Sequence, residues 1–322
     1  MGYNILRFKI QDTIRWGILK DDKVVPFAEG VFELKDILTK ENLQTAHTIV
    51  KAKTTESISL SDIEIMSPVT QPTRLLALGV NYTEHREEAG TENNNSTVFF
   101  RKDESAITSA FGDIQWPKGS QLLDYEVEMG IVIKKEICSS KVINSENIGD
   151  YVAGIVLVND MSPRDLQLGG PFSQWYKGKS YRTMCPIGPY IYIYEPGEVE
   201  TMHNMQLKLW VNDELRQDVH TSLMITKPEE ALTLASEFVN LKPGDVVLTG
   251  TPGGVALKSP SKALVFMGQL LFSPQKRMKM FIKGQLKSKK YLKLDDVIRC
   301  SLKSPDGSID CGEQKNKVVV IN

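Results

Sequence analysis

Runs of apolar or alternating apolar residues recur along most of the chain, whereas helical periodicity is confined to a few segments. Because the predicted strands outnumber the helices and do not alternate regularly with them, the pattern indicates a β-rich α+β protein and not a doubly wound sheet. We predict strands at residues 3–10, 13–20, 24–26, 75–79, 126–134, 151–158, 190–194, 206–211, 246–249 and 318–321, and helices at 32–39, 41–52 and 227–238.

Two prolines, Pro68 and Pro72, mark a predicted boundary, since each biases the residue before it toward extended backbone. We therefore predict a small α+β N-terminal domain over residues 1–66 and a larger domain over residues 67–322. Within the larger domain, residues 263–290 carry apolar positions three and four apart. This spacing predicts one or two amphipathic helices inserted between strands. A polar stretch at residues 92–96 is typical of a mobile loop.

Composition narrows the range of partners. The 39 basic and 40 acidic residues leave a net charge of −1, which argues against nucleic acid or an anionic membrane as a partner. No apolar run is long enough for a membrane span, and the N-terminal residues lack a signal-peptide pattern. The four cysteines lie far apart, as expected for reduced thiols. We expect a cytoplasmic location.

Acidic residues on two predicted strands form the first candidate site. Glu126 and Glu128 lie two apart and project from one strand face, where paired carboxylates invite a divalent cation. A solvated polar face is the alternative. Asp160 ends an apolar run and needs a partner there, unless it only caps the next segment. If the three acids converge, oxygen ligands favour Mg²⁺ or Mn²⁺ over zinc, with Ca²⁺ also possible.

A short helix is predicted at residues 81–90, with Asn81 as its cap, Glu84 at the capping-box position and Gly90 at its end. His85 and Glu88 lie three apart on one face of this helix. The carboxylate could therefore orient the imidazole as a general base. A surface contact between the two side chains is the alternative.

Two further segments are candidates for ligand contact. Residues 249–255 read TGTPGGV after a predicted strand, and glycines such as Gly250 let the main chain approach a ligand closely. We count Gly250 and Thr251 as candidate substrate-binding residues, with a plain turn as the alternative. Lys179 lies in an aromatic segment, and it is either a solvated lysine or a fixed positive charge beside the carboxylates.

Taken together, the order of these motifs resembles the fumarylacetoacetate hydrolase family over residues 67–322. The resemblance implies a mixed β-sandwich roll that usually works as a homodimer, and the small leading domain is similar to the accessory domain of many bacterial members. The motifs are NYxxHxxE from residue 81, FxK from 100, DYEVE from 124, NDxSxRDxQ from 159, GKS from 178, PxGP from 186 and TGTPxGV from 249.

The resemblance also assigns roles, position by position. The matches are the metal ligands Glu126, Glu128 and Asp160, the metal-neighbouring Lys179, the water-activating His85 and Glu88, and the substrate contacts Arg164, Gln167 and Thr251. Two positions depart from the family pattern. Arg182 stands where members commonly have an acid, which leaves the pairing of Lys179 and the substrate range open, and Asp103 replaces a common proline.

The activity implied by the resemblance is metal-dependent hydrolysis of a carbon–carbon bond in a diketo acid, such as fumarylacetoacetate or an acylpyruvate of aromatic catabolism. Two alternatives use the same enolate-stabilising site. One is decarboxylation of an oxaloacetate-like acid, and the other is isomerisation or tautomerisation, as for 2-hydroxyhepta-2,4-diene-1,7-dioate-like acids. A third alternative is a metabolite-binding protein without catalysis. In every case the expected partner is a small anionic keto or diketo acid.

Overall fold

The computed structural model describes residues 1–27, 30–52, 56–90, 96–169, 172–259, 267–268 and 270–320. The strands are β1 Tyr3–Ile10, β2 Thr13–Lys20, β3 Lys23–Phe27, β4 Ile58–Ser59, β5 Glu64–Met66, β6 Leu75–Gly79, β7 Val98–Lys102, β8 Ile107–Thr108, β9 Ile114–Gln115, β10 Leu123–Asp124, β11 Val127–Ile133, β12 Val152–Asn159, β13 Ser162–Pro163, β14 Cys185–Ile193, β15 Gln206–Val211, β16 Glu214–His220, β17 Val246–Leu248, β18 Val297–Lys303 and β19 Asp310–Val319.

Helices are fewer and mostly short. The α-helices are α1 Leu34–Ile37, α2 Lys40–Lys51, α3 Thr83–Glu88, α4 Ile148–Tyr151, α5 Arg164–Leu168, α6 Trp175–Lys179, α7 Pro228–Ser236 and α8 Pro274–Gln285. Short 3₁₀ turns lie at Leu60–Asp62, Glu104–Ala106, Val199–Asn204 and Thr221–Leu223. The β-rich α+β class predicted from the sequence is therefore confirmed. No helix in the described ranges is long and apolar enough to cross a membrane.

The strands within the described residues form two main sheets. The larger is mixed and runs in the order β4-β3-β2-β1-β14-β12-β11-β17-β6-β7, with β5 on β1 and β8 on β14. The smaller runs β16-β15-β18-β19-β9, and β10 and β13 form a separate pair. Because β1 pairs with β14, residues 1–66 extend the larger sheet. The predicted division at residue 66 stays a prediction.

The central strands β11 and β12 are buried on both faces. On one face Met129 packs in a cluster with Leu209 of the smaller sheet, and on the other Val132 packs in a cluster with Ile37 of α1. Two buried faces explain why these strands read as nearly continuous apolar runs. They also place the ends of β11 and β12, where the acidic residues lie, deep inside the sandwich.

Several predicted bounds differ from the structure. The helix expected at 32–39 covers only Leu34–Ile37. Strand β14 begins at Cys185, before the predicted start, because Pro186 and Pro189 interrupt the strand pattern in the sequence. Strand β19 begins at Asp310, since its exposed residues are charged and its buried ones include polar side chains.

The predicted insertion at 263–290 contains α8, whose residue Ser273 caps it by accepting a hydrogen bond from the Lys276 backbone N–H at 3.4 Å. Pro274 at its first position fits the start of a helix, where no backbone donor is needed. Residues 263–266 and 269 of this segment lie outside the described residues, as do residues 92–95 of the predicted mobile loop.

Candidate metal and active site

Three carboxylates meet at the paired ends of β11 and β12. The register aligns Val127 with Asn159, and the Asp160 N–H donates to the Glu126 carbonyl at 2.8 Å. Glu126 therefore lies immediately before β11, and Asp160 lies immediately after β12. Glu128 is the second residue of β11, two positions after Glu126, so both side chains project from the same face. One oxygen atom from each carboxylate lies within 4.8 Å of those of the other two. The structure thus brings together the three residues that the sequence analysis proposed as metal ligands.

Buried cations surround this cluster. The Lys179 ammonium donates to Glu126 and to Asp160 at 2.6 Å each. Arg164 donates to Glu126 at 2.5 Å, and Lys102, at the end of β7, forms an ion pair with Asp160. Since unpaired buried carboxylates cost several kcal/mol, these contacts explain how the acids are kept inside the protein.

The pairing of Lys179, which the sequence left open because of Arg182, is with Glu126 and Asp160. Arg182 is exposed, while Lys179 is buried between Glu126 and Asp160. Asp103 is the other residue that departs from the family pattern, and its backbone N–H donates to Ser180 Oγ at 2.9 Å. Both departures therefore leave the lysine in place.

Glu128 differs from its neighbours because no cationic side chain in the part of the chain that the structure describes forms an ion pair with it. One oxygen, Oε2, accepts the Gly250 N–H at 2.7 Å, while Oε1 is buried and has no hydrogen-bond partner among the described residues. Burial, with the nearby charges of Asp160 and Glu126, raises the pKa of Glu128 well above its usual range. Burial alone would also raise the pKa of Glu126, but Lys179 and Arg164 hold it well below its usual value.

This donor set fits a divalent cation. Glu128 Oε1, buried without a hydrogen-bond partner among the described residues, can serve as a ligand atom, and the three clustered carboxylates are the hard oxygen ligands that Mg²⁺, Mn²⁺ or Ca²⁺ prefers. The connected network holds four carboxyl groups and three cationic groups, so with all four carboxylates ionised around a divalent ion its net charge would be positive. Its members are Asp124, Glu126, Glu128, Asp160, Lys102, Arg164 and Lys179.

The proposed substrate contact Arg164 is already engaged. Its Nε donates to Asp124 at 2.9 Å and one Nη to Gln167 Oε1 at 3.2 Å, besides the bond to Glu126. Asp124 in turn accepts the backbone N–H groups of Ala256 at 2.8 Å and Leu257 at 3.1 Å. Arg164 therefore ties the acidic cluster to the loop that follows β17. Both Arg164 and Gln167 still line the cavity described below.

His85 and Glu88, the predicted general base and its orienting carboxylate, lie at the same site but are not hydrogen-bonded to each other. His85 is 6% exposed, and its Nδ1 is 3.6 Å from Glu88 Oε2, beyond hydrogen-bond reach. Both oxygens of Glu88 accept the Gly254 N–H at 3.1 Å. His85 Nδ1 has no hydrogen-bond partner within the described ranges. The imidazole is therefore available to a ligand in the cavity.

The prediction that Asn81 caps the N-terminus of this helix is wrong, whereas the predicted end at Gly90, which has φ +70°, agrees with the structure. Helix α3 begins at Thr83, its cap position is Tyr82, and no side chain caps it. Asn81 instead donates to the carbonyls of Thr226 and Thr249 at 3.0 and 2.9 Å, because it lies between two neighbouring loops. Asn81 therefore anchors the segment that precedes α3 to these two loops and does not cap the helix.

The loop after β17 closes the site from another side. Gly250 has φ +88°, and a Cβ on it would lie 2.8 Å from that of Asn81. This position therefore requires glycine, and its N–H binds Glu128. Thr251 Oγ accepts a hydrogen bond from Gln217 at 2.9 Å and lines the cavity.

A cavity of about 300 Å³ opens onto this cluster. It brings together His85, Lys179, Glu126, Arg164, Gln167 and Thr251 with apolar side chains from several elements, namely Leu78, Val98, Phe100, Leu168, Trp175, Leu257 and Phe281. The sequence analysis did not single out Lys102, Asp124 or Phe281. Lys102 and Asp124 both lie in motifs that carried the family resemblance, which was the available signal.

The fold and site define a class, the β-rich enzymes that present a buried carboxylate cluster to a substrate cavity. The model of the family described as fumarylacetoacetate (FAA) hydrolase, C-terminal, matches residues 74–319. The chain belongs to the fumarylacetoacetate hydrolase family, and its fold is that family's mixed β-sandwich roll.

Individual relatives carry different activities in their names. A mitochondrial oxaloacetate tautomerase of Bos taurus is 38% identical over 197 residues, 61% of each chain. A probable 2-hydroxyhepta-2,4-diene-1,7-dioate isomerase of Mycobacterium abscessus aligns over 100% of both chains with TM-score 0.73 and 25% identity. A maleylpyruvate hydrolase of Sphingobium, solved with manganese(II) and pyruvate, aligns over 99% of this chain and all of its own, with TM-score 0.70 and 25% identity. The match to the tautomerase spans about three fifths of that protein's length.

Proposed function

We propose that this protein is a divalent-metal-dependent enzyme that interconverts the keto and enol forms of a small 2-oxo acid, with oxaloacetate as the first substrate to test. The observation that carries the proposal is that one cavity is lined both by His85, whose Nδ1 has no hydrogen-bond partner among the described residues, and by Glu126 of the carboxylate cluster. Similarity to oxaloacetate tautomerases favours this reaction over others at the same site.

In this proposal Glu126, Glu128 and Asp160 hold Mg²⁺ or Mn²⁺, with Ca²⁺ as a further candidate. When bound, the ion acts as a Lewis acid that polarises the 2-oxo group and favours loss of a proton from the neighbouring carbon. Lys179 and Lys102 fix the orientation of the carboxylates, since both are buried against them. The positive net charge of the loaded network favours binding of an anionic substrate.

The proton transfer falls to His85. Its imidazole removes a proton from C3 of the 2-oxo acid, the electron pair moves to the C2 oxygen, and a proton returned there completes the enol. The C3–H bond breaks and an O–H bond forms, the C2–C3 bond becomes double and the C2–O bond becomes single, and no carbon–carbon bond is cleaved. Glu88, 3.6 Å from Nδ1, stabilises the imidazolium that forms. The apolar walls formed by Phe100 and Trp175 limit access of bulk water to the site.

A second candidate is hydrolysis of a carbon–carbon bond in an acylpyruvate or a fumarylacetoacetate-like acid. The specific observation in its favour is the closeness of His85 and Glu88, which could deprotonate a water in the cavity. That water would attack the distal carbonyl, and cleavage would release an enolate whose charge Lys179 is positioned to offset. Decarboxylation would proceed through the same kind of enolate.

A substrate panel with product analysis separates these reactions. Protein with Mg²⁺, Mn²⁺ or Ca²⁺ is incubated with enol-oxaloacetate, acetylpyruvate and fumarylacetoacetate. Tautomerisation leaves the carbon skeleton intact, hydrolysis yields two carboxylic acids, and decarboxylation releases CO₂. Glu126→Gln should abolish whichever reaction occurs, while the exposed Glu136→Gln should not. Metal binding without turnover of any substrate would support the non-catalytic alternative and overturn the proposal.

Two further expectations accompany the proposal. We propose a homodimer, on the strength of the family resemblance, and sedimentation of the purified chain measures it directly. We also retain the expected cytoplasmic location, although the bovine relative is named as mitochondrial. Microscopy of a fluorescent fusion carrying the full natural chain tests this location.

A further inference from the structure

Helix α8, in the inserted segment, reaches the cavity through one side chain. Phe281 lines the cavity together with Leu257, Phe100 and Trp175. The phenyl ring and these neighbours form an apolar wall, whereas the polar lining is supplied by His85, Glu126, Lys179, Arg164, Gln167 and Thr251. An apolar wall of this kind favours contact with a hydrocarbon part of the ligand.

The C-terminal end of α8 is anchored to the loop that follows β17. Gln285 is buried; its Nε2 donates to the Lys258 carbonyl at 2.6 Å, and its Oε1 accepts the Tyr291 hydroxyl at 2.8 Å. Ile282 packs against a buried cluster that includes Ala256. These contacts hold the turn of the helix that carries Phe281.

The same loop is hydrogen-bonded to Glu88 and to Asp124, which contact residues that line the cavity. Its Gly254 N–H binds Glu88, and its Ser259 N–H donates to the Glu88 carbonyl at 2.9 Å. The N–H groups of Ala256 and Leu257 bind Asp124, which pairs with Arg164. Through this loop, the helix turn that carries Phe281 is connected to helix α3, which carries His85, and to Asp124.

We propose that Phe281 is a specificity-determining residue that sets the length of the hydrocarbon tail this enzyme accepts on its 2-oxo acid. The inference rests on the proposed function for where the 2-oxo acid binds. It adds that the substrate range includes 2-oxo acids with short alkyl tails, which lie against Phe281 and Leu257. Longer tails are rejected because they meet the phenyl ring.

The test measures binding, not turnover. Oxalate and straight-chain 2-oxo acids of increasing length are titrated by calorimetry into the Mn²⁺-loaded wild-type protein. Each added methylene should tighten binding about fourfold while it is buried. Beyond the length that meets the ring, affinity should fall by about tenfold or more.

Phe281→Ala should move this limit to longer tails, and Phe281→Leu should move it less. Met280→Ala, a change at the neighbouring exposed residue of α8, should leave the wild-type profile intact. Oxalate, which has no tail, should bind all four proteins alike. Circular dichroism measures whether each variant is folded. If Phe281→Ala does not fold, Phe281→Leu still tests the proposal.

The titrations distinguish a failure of the proposed function from a failure of the specificity role of Phe281. If oxalate and all the 2-oxo acids fail to bind the Mn²⁺-loaded protein, the proposed function fails, and this inference fails with it. If they bind but the length profile is unchanged by both Phe281 variants, the specificity role of Phe281 is overturned while the proposed function stands.

Discussion

Lys179 donates from a single ammonium group to Glu126 and to Asp160, at 2.6 Å in each case. The two carboxylates come from the ends of neighbouring antiparallel strands, so the lysine holds together two parts of the proposed metal site. Although burial alone would lower it, the carboxylates of Asp160 and Glu126 raise the pKa of Lys179. The lysine therefore remains a cation in the protein interior.

Replacement of Lys179 by methionine should destabilise the metal-free protein, because two buried carboxylates lose a partner. Breaking a buried ion pair in this way costs about 3–5 kcal/mol of the free energy of unfolding. Urea denaturation measures the loss, and saturating Mn²⁺ should restore part of it by supplying positive charge. Lys287→Met, at an exposed position of the same residue type, is the control. Equal stability of the two variants would contradict this account.

Glu128→Gln should have opposite effects on stability and on metal binding. Glutamine carries no charge to repel Glu126 and Asp160, so the metal-free variant should be at least as stable as the wild type. Loss of a ligand oxygen should weaken Mn²⁺ binding by more than about a hundredfold, beyond the effect of losing an outer-shell partner. Calorimetry and thermal denaturation give the two values. Unchanged Mn²⁺ affinity would remove Glu128 from the metal site.

His85→Asn should reduce turnover and leave metal binding intact. Loss of a general base typically lowers the rate by about 10²–10⁴-fold, whereas the carboxylate cluster is untouched by the change. Steady-state rates and Mn²⁺ titrations are compared with those of His220→Asn, a change outside the cavity-lining residues. A His85→Asn protein with full activity would show that another group moves the proton.

A second ion pair predicts how stability depends on pH. His203 Nε2 lies 2.8 Å from Glu229 Oε1, and this hydrogen bond raises the pKa of His203 above its ordinary 6.5. Burial alone would raise the pKa of Glu229, but His203 lowers it below 4.5. The stabilisation from His203 is complete below pH 6.5 and is lost as the pH rises through the raised pKa. The contribution of Glu229 is present above pH 4.5 and is lost as the pH falls through the lowered pKa.

The pair should therefore stabilise the protein most in the mildly acidic range. His203→Gln should cost up to about 1 kcal/mol near pH 5.5 and less at alkaline pH, where the wild-type histidine is neutral. Thermal unfolding of both proteins across this range measures the difference. A cost that grows with pH would contradict the assigned pKa directions.

The strand pattern was sufficient to predict the β-rich fold and the shared face of Glu126 and Glu128, because both follow from the period of a strand. The residues alone left open whether Asp160 joins them, and the family resemblance assigned the three as ligands. His85, Glu88 and Lys179 were candidates from the sequence, and the resemblance added their roles at one site, because their proximity depends on chain segments far apart in sequence.

Other features could not be predicted because they depend on tertiary contacts. Asn81 has the residue type of a helix cap, yet two distant carbonyls compete successfully for its amide. Phe281 reaches the cavity only because Gln285 anchors its helix to the loop after β17. Strand β19 was underestimated since its buried face includes Gln314 and Asn316, which read as loop residues in the sequence.

The central claim is that the carboxylate cluster and His85 together catalyse chemistry on a 2-oxo acid. The most direct measurement follows the decay of enol-oxaloacetate by ultraviolet absorbance, with Mn²⁺-loaded protein, chelator-treated protein and Mn²⁺ alone. The account predicts acceleration only by the loaded protein, an intact carbon skeleton in the product, and loss of the effect in His85→Asn. The same decay rate for loaded protein and Mn²⁺ alone would contradict it.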